Sequence, residues 1–323
     1  MDDQKIDIDE ILGNDVKINS GDDIQEDALL EGLSQAQDDI LEGKEKYEYI
    51  HSGKAMNERE LLHFSSRNIV KMVLVAGPYE SGKTTLMVMM YHLFREGLNK
   101  KLMFKSSYTM KGFWERSDGL LLNSGNSKPE IERTYRGAQD LFLHLGLVNN
   151  KNKFENLIFT DVSGELFSDP DFLKDLPDYF LDSKNVLLVM DGDAMADITK
   201  RRSTVHDTKI MFDNLIKYKI ITKETNVQII CTKMDKVSQR EDQADCEVYI
   251  NTKYEEIKKM YEMHVAQMKL YKISALNLQE SSESETLEQI IENCMEENDI
   301  QSEKNVTKKR RLSRSFERFG LRE

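Results

Sequence analysis

Short apolar-rich runs, set between longer stretches of helical pattern, constrain this chain more than any other feature. The runs cover residues 69–76, 186–190, 227–231 and 270–273, and residues 154–160 read as a further strand. They lack the polar alternation expected of a sheet with one wet face, so their strands are covered on both sides. Residues 140–148 alternate as a strand, and 149–153 read as the turn into the next. Helical pattern fills 83–94, 171–182, 194–218, 246–268 and 285–297. Strand–helix alternation of this kind predicts an α/β domain with a mainly parallel, doubly covered sheet. In 246–268, Ile250, Tyr254, Ile257, Tyr261, His264 and Met268 recur at four- and three-residue spacing, which makes His264 a packing residue of a buried helix face rather than a ligand.

Composition sets the limits around that domain. Charged residues make up 32% of the 323, more than the roughly 25% of ordinary domains, so part of the chain is expected to be solvated extension. Residues 1–45 hold fifteen acidic residues against three lysines, and residues 304–323 hold eight basic residues against two glutamates. The expected organisation is an acidic extension over 1–65, a globular domain over 66–300 and a basic tail over 301–323. A weak apolar stripe on an acidic helix starts near Asp22; it reads first as a solvated helix and second as a docking element. The net charge of −13 disfavours nucleic-acid or anionic-membrane binding by the whole surface. Leu312, Phe316 and Phe319 in the basic tail fall on one helical face, so such contacts are confined, as expectations, to the tail. Cys231, Cys246 and Cys294 lie too far apart for a zinc knuckle and fit a reducing compartment. No basic, apolar leader opens the sequence and no run reaches the roughly 20 residues of a spanning helix, so the expected location is cytoplasmic.

The chemistry sits at the ends of the strands. Gly77-Pro78-Tyr79-Glu80-Ser81-Gly82-Lys83-Thr84 fits G-x-x-x-x-G-K-[ST], directly after the first strand and opening a helix. Such a loop points backbone N–H groups of Glu80, Ser81 and Gly82 at phosphate oxygens, and the helix N-terminus adds free donors from Lys83, Thr84 and Thr85. Lys83 would reach the β- and γ-phosphates, and the Thr84 hydroxyl would hold Mg²⁺, a hard cation that takes oxygen ligands. Asp161-Val162-Ser163-Gly164 ends another strand; Asp161 can hold the metal through water, and Gly164 can bring its N–H to a γ-phosphate, as a switch would. Thr232-Lys233-Met234-Asp235 follows 227–231. The Asp235 carboxylate can accept from both N1–H and the exocyclic amine of guanine, a pair that adenine does not present, while the Lys233 stem lies over the base. Ser274-Ala275-Leu276, after 270–273, is small enough to let a backbone N–H approach guanine O6. Taken singly, each of the last three signals is also what an ordinary polar turn looks like.

Together and in this order, the four motifs resemble those of Ras-like P-loop GTPases of the translation-factor-related class, over about residues 69–276. The resemblance implies a six-stranded, mostly parallel sheet flanked by helices, with one antiparallel edge pair formed by 140–148 and 154–160. More narrowly, G-P-x-x-S-G-K-T-T with D-x-x-G-E is similar to the double-GTPase families, GTPase-like domains of bacterial conflict systems. It implies GTP and GDP as ligands with Mg²⁺, and a threonine in the first switch on metal and γ-phosphate: Thr134 is the first choice and Thr109 the second. Glu165 stands where such proteins usually place a water-orienting glutamine, and Tyr79 where they keep a small residue; both imply slow hydrolysis. Lys83, Thr134 and Glu165 are the expected catalytic set; Thr84, Thr134 and Asp161 are the expected metal set. Arg133 or Arg136 is a candidate cation in cis, and each also reads as a solvated loop arginine. The segment around Phe113-Trp114 is longer than a minimal GTPase needs and reads as a partner-facing insertion. The expected function is a slow guanine-nucleotide switch. The alternative is a nucleotide-gated module of a larger complex with negligible turnover, and a third reading is an ATPase. Protein partners, an effector or a co-component of a complex, are expected; oligomeric state is open.

Overall fold

The structure is a computed structural model and describes residues 51–117, 141–162, 166–167, 169–174, 176–181, 183–276 and 281–296. The chain parts into two units, Met1–Ile50 and His51–Glu323, and every described residue belongs to the second. The acidic helix near Asp22 and the basic tail lie outside the described residues.

The elements run α1 (Glu58–Ser65), β1 (Val70–Ala76), α2 (Lys83–Arg95), β2 (Met103–Ser106), α3 (Met110–Ser117), β3 (Phe142–Val148) and β4 (Phe154–Thr160). They continue with α4 (Pro170–Lys174), α5 (Asp178–Leu181), β5 (Asn185–Asp191), α6 (Gly192–Ala196), α7 (Arg201–Lys217) and β6 (Asn226–Thr232). The last are α8 (Met234–Ser238), α9 (Gln243–Tyr261), β7 (Gln267–Lys272) and α10 (Ser281–Met295). Among the described residues, one sheet of seven strands has the order β2-β3-β4-β1-β5-β6-β7. β3 is antiparallel to both β2 and β4, and the remaining pairs are parallel. The expected antiparallel pair is therefore present. The expected count of six is corrected to seven by β2, a four-residue strand of alternating exposed and half-buried residues at the edge of the sheet.

Side-chain alternation on the parallel strands supplies both layers of core. Val73 and Val75 face α2 and α10, packing with Leu86, Met90, Leu93, Leu287 and Ile291. Leu74 and Ala76 face the other way, with Phe167, Phe212, Leu215, Ile250 and Ile257. Residues 51–65, grouped by sequence with the acidic extension, supply Met56, Leu61 and Phe64 to a third cluster with Met72, Phe142 and Ile158. Asn57 and Glu60 cap α1 reciprocally, each side chain accepting the other's backbone N–H.

Two other expectations are corrected. α9 ends at Tyr261; His264 is exposed at the end of a short 3₁₀ turn, and Met268 lies on β7. Phe113, expected to face a partner, is fully buried and stacks on Tyr91 of α2 at 5.1 Å, whereas Trp114 beside it is exposed. Among the described residues no helix is long and apolar enough to cross a membrane.

Candidate nucleotide-binding site

Because β1, β4, β5, β6 and β7 run the same way, their carboxyl ends open on one edge, the place where open α/β sheets take ligands. Beyond Val73 the β1–β4 ladder ends, and the Thr160 hydroxyl accepts the Val75 N–H at 3.1 Å in its place. The loop Gly77–Gly82 leaves β1 at that opening. Gly82 caps α2 at φ +90°, a left-handed backbone in which a side chain would be strained, and a Cβ there would press on the Thr232 hydroxyl. A Cβ on Gly77 would run into the Val189 carbonyl oxygen and the Ser81 hydroxyl. The loop is thus pressed against β5 and β6 by two residues without side chains, and α2 begins without any side-chain cap. A helix start without a side-chain cap is where backbone N–H groups can meet an anion.

Lys83 folds back across this loop. Its ammonium donates to the carbonyls of Gly77 at 3.0 Å and Pro78 at 2.9 Å, spanning the cradle that phosphate would occupy. Thr84 Oγ1 donates to Asp161 Oδ1 at 3.1 Å, bringing together the two oxygen ligands predicted for Mg²⁺ from residues 77 positions apart. Asp161 is 2% exposed. A carboxylate so buried costs several kcal/mol unless a cation or donors meet it. The second oxygen of Asp161 is taken by a residue absent from the sequence expectations: Arg116 of α3, whose Nε donates to Oδ2 at 2.6 Å.

The other end of this edge is built by β6 and β7. Thr232 Oγ1 lies 2.6 Å from the Ser81 carbonyl and 3.1 Å from that of Met190, tying the phosphate loop to β6. Lys233, at φ +57°, sends its ammonium to the Glu80 carbonyl and to Asp191 Oδ2, both at 2.7 Å. Asp191, also missed by the sequence reading, caps α6 through its other oxygen and so fixes the lysine. The DGD at the end of the 186–190 run was the signal for it. Met234 N–H donates to the Ile273 carbonyl at 3.4 Å, which sets 232–235 beside 274–276. Asp235 is half-buried, and among the described residues its carboxylate has no hydrogen-bond or ion-pair partner. Ser274 and Ala275 are buried and Leu276 is exposed. Glu283 of α10 accepts the Ser274 N–H at 2.8 Å and so anchors this loop, a contact no motif announced.

Thr134, Arg133, Arg136, Gly164 and Glu165 lie outside the described residues. Thr109, the second choice for the switch threonine, is corrected: it is fully buried, its hydroxyl accepts the His144 N–H at 2.7 Å, and it is committed to β3. The donor set that is described, a threonine hydroxyl and a buried carboxylate below a backbone cradle, suits a nucleotide phosphate with Mg²⁺.

A loop of the P-loop type after β1, with the Asp235 carboxylate after β6 on the same edge, places the chain among the P-loop GTPases. Within that class it belongs to the Double-GTPase 2 family, whose model matches residues 71–295, and it is accordingly a GTP-binding protein. Solved structures similar to it include the signal recognition particle receptor SRb-GTP/SRX complex from Chaetomium thermophilum, 18% identical with a TM-score of 0.33, over 64% of this chain and 92% of that one. Another is a GTP-binding protein from the archaeon Sulfolobus solfataricus in complex with GDP, 12% identical with a TM-score of 0.34, over 84% of this chain and 61% of that one. A third is the GTPase-like domain of S. cerevisiae Ski7 bound to GTP, 16% identical with a TM-score of 0.42, over 76% of this chain and 54% of that one. Comparison with curated proteins gives no match.

Proposed function

We propose that the chain is a cytoplasmic guanine-nucleotide switch that binds GTP with Mg²⁺ and hydrolyses it slowly to GDP and phosphate. One observation carries this reading: the open Asp235 carboxylate, the Lys83 ammonium and the Thr84–Asp161 oxygen pair share one sheet edge. Bound Mg²⁺ supplies charge neutralisation between the phosphates. Lys83 exchanges its two loop carbonyls for phosphate oxygens and stabilises the charge that develops there. Thr84 and Asp161 hold the metal. Asp235 accepts two guanine N–H groups, and Lys233, fixed by Glu80 and Asp191, keeps the phosphate loop in register with the base. Gly164, Thr134 and Glu165 complete the switch, the last by orienting water against a γ-phosphate of like charge, which makes turnover slow.

A second reading, a nucleotide-gated module of a multi-protein complex with negligible turnover, is favoured by the exposed Tyr79 ring on the phosphate loop and by the cation already paired with Asp161. Affinities for GTP, GDP and ATP with Mg²⁺, measured with phosphate release in the same sample, test both. Guanine nucleotides are expected to bind on the order of 100-fold more tightly than ATP, because adenine leaves the carboxylate unpaired. Equal affinity for ATP overturns guanine recognition. Slow release that disappears in Lys83→Ala supports the switch, and none at all supports the module.

A further inference from the structure

Arg116 belongs to no motif, yet its guanidinium sits on the carboxylate that Mg²⁺ needs. It is held there on purpose-built supports. Its Nη1 donates to the Gly112 carbonyl one turn back at 3.2 Å, and its side chain is only 17% exposed. α3 is in turn fixed on two sides. Phe113 stacks on Tyr91 of α2, and the Gly112 N–H donates to the Gly53 carbonyl at 2.9 Å. Gly53 belongs to the segment that continues to Met56, whose N–H donates to the Phe142 carbonyl at the start of β3. The arginine is thus part of a framework that runs from the metal corner to the residues immediately after the N-terminal unit.

We propose that Arg116 is a built-in counter-ion that competes with Mg²⁺ for Asp161, so that metal binding loosens α3 from the nucleotide site. With no metal, a carboxylate 2% exposed needs a cation, and Arg116 together with the Thr84 hydroxyl meets that need, one on each oxygen. When the dication arrives, two positive groups share one carboxylate in a poorly screened corner, and the monovalent one is the weaker competitor. The Mg²⁺ requirement of the protein is raised by its own arginine, and release of that arginine carries the state of the site to α3 and the 53–56 segment.

This inference rests on the reading that the site takes Mg²⁺ with nucleotide, and the experiment separates the two. The full chain is loaded with a fluorescent GDP analogue, and nucleotide retention is followed as Mg²⁺ is titrated. Arg116→Ala is expected to lower the Mg²⁺ concentration for half-maximal retention by about tenfold, the scale of effects from groups that contact metal ligands. Arg116→Lys keeps the charge and is expected to stay within about threefold of the unaltered protein. Arg116→Gln, which drops the charge but keeps a donor for the Gly112 carbonyl, is expected to behave as the alanine variant with less disturbance of α3. The melting temperature without metal and nucleotide is expected to fall in Arg116→Ala and to hold in Arg116→Lys. An unchanged or higher Mg²⁺ requirement in both uncharged variants overturns the competition while leaving the nucleotide reading intact. Retention by the unaltered protein that ignores Mg²⁺ overturns both.

Discussion

Two carboxylates at the same sheet edge are treated in opposite ways. Asp161 is 2% exposed and has Thr84 on one oxygen and Arg116 on the other. Asp235 is half-buried and has no partner among the described residues. Burial explains the contrast. A charge with access to water can wait unpaired for a ligand, whereas a charge removed from water must be matched at all times. On the proposed reading, guanine recognition is set out in advance on an open group, while the metal corner is closed by a group that has to move. His144 shows a third solution. Fully buried on β3, it accepts the Tyr108 N–H on Nδ1 and meets Asn156 through Nε2, and burial lowers its pKa to about 4, so it stays neutral instead of finding a counter-charge.

These differences order the expected effects of substitution. Lys83→Ala removes the only cation shown to span the phosphate cradle among the described residues, and nucleotide affinity is expected to fall on the order of 1000-fold in equilibrium binding. Retained affinity would remove the phosphate end from the comparison. Asp235→Asn replaces one of two acceptors by a donor that faces a guanine N–H, and GTP affinity is expected to fall on the order of 100-fold. The same amide matches the carbonyl that xanthine carries in place of the guanine amine, so xanthosine triphosphate is expected to bind the variant better than GTP does; unchanged GTP-over-ATP selectivity would show that the open carboxylate does not read the base.

The neutral histidine predicts a pH response. Its folded pKa lies below the ordinary 6.5, so the unfolded chain takes up the proton first as pH falls, and stability is lost from about pH 6.5 downward towards pH 4. Between pH 7 and pH 5 this group is expected to contribute a loss of about 2 kcal/mol in denaturant unfolding, and His144→Gln is expected to flatten that part of the profile. A profile unchanged by the substitution would mean that burial does not hold the ring neutral. The smallest effect is expected at Glu283→Gln, which weakens the charge-assisted anchor on the Ser274 N–H. GTP affinity is expected to fall about threefold to tenfold with little change for the phosphate end, read as a loss for GTP that inorganic phosphate competition does not share. An equal loss for both would make Glu283 a general support of the fold.

Much of the edge was legible because its determinants are local. Gly82 and Lys83 must be neighbours for a loop to turn into a helix, and residues 154–160 form a strand with the bounds expected after the 149–153 turn. The pattern misled where neighbouring elements share one core. Apolar spacing runs on from α9 through Val265 to Met268, because all three segments pack into the same cluster, and periodicity by itself marks no boundary there. β2 left no signal, since four residues half exposed at an edge need little apolar content.

The sequence by itself determined the strands other than β2, the phosphate-loop motif and the carboxylate that follows β6, all of them set by spacing within a few positions of a strand end. Tertiary structure alone decided that Arg116 meets Asp161 across 45 positions, that Glu283 anchors Ser274, and that Thr109 serves β3 rather than a metal. Those outcomes depend on which buried charge and which backbone N–H end up side by side, and that is fixed only when the layers pack.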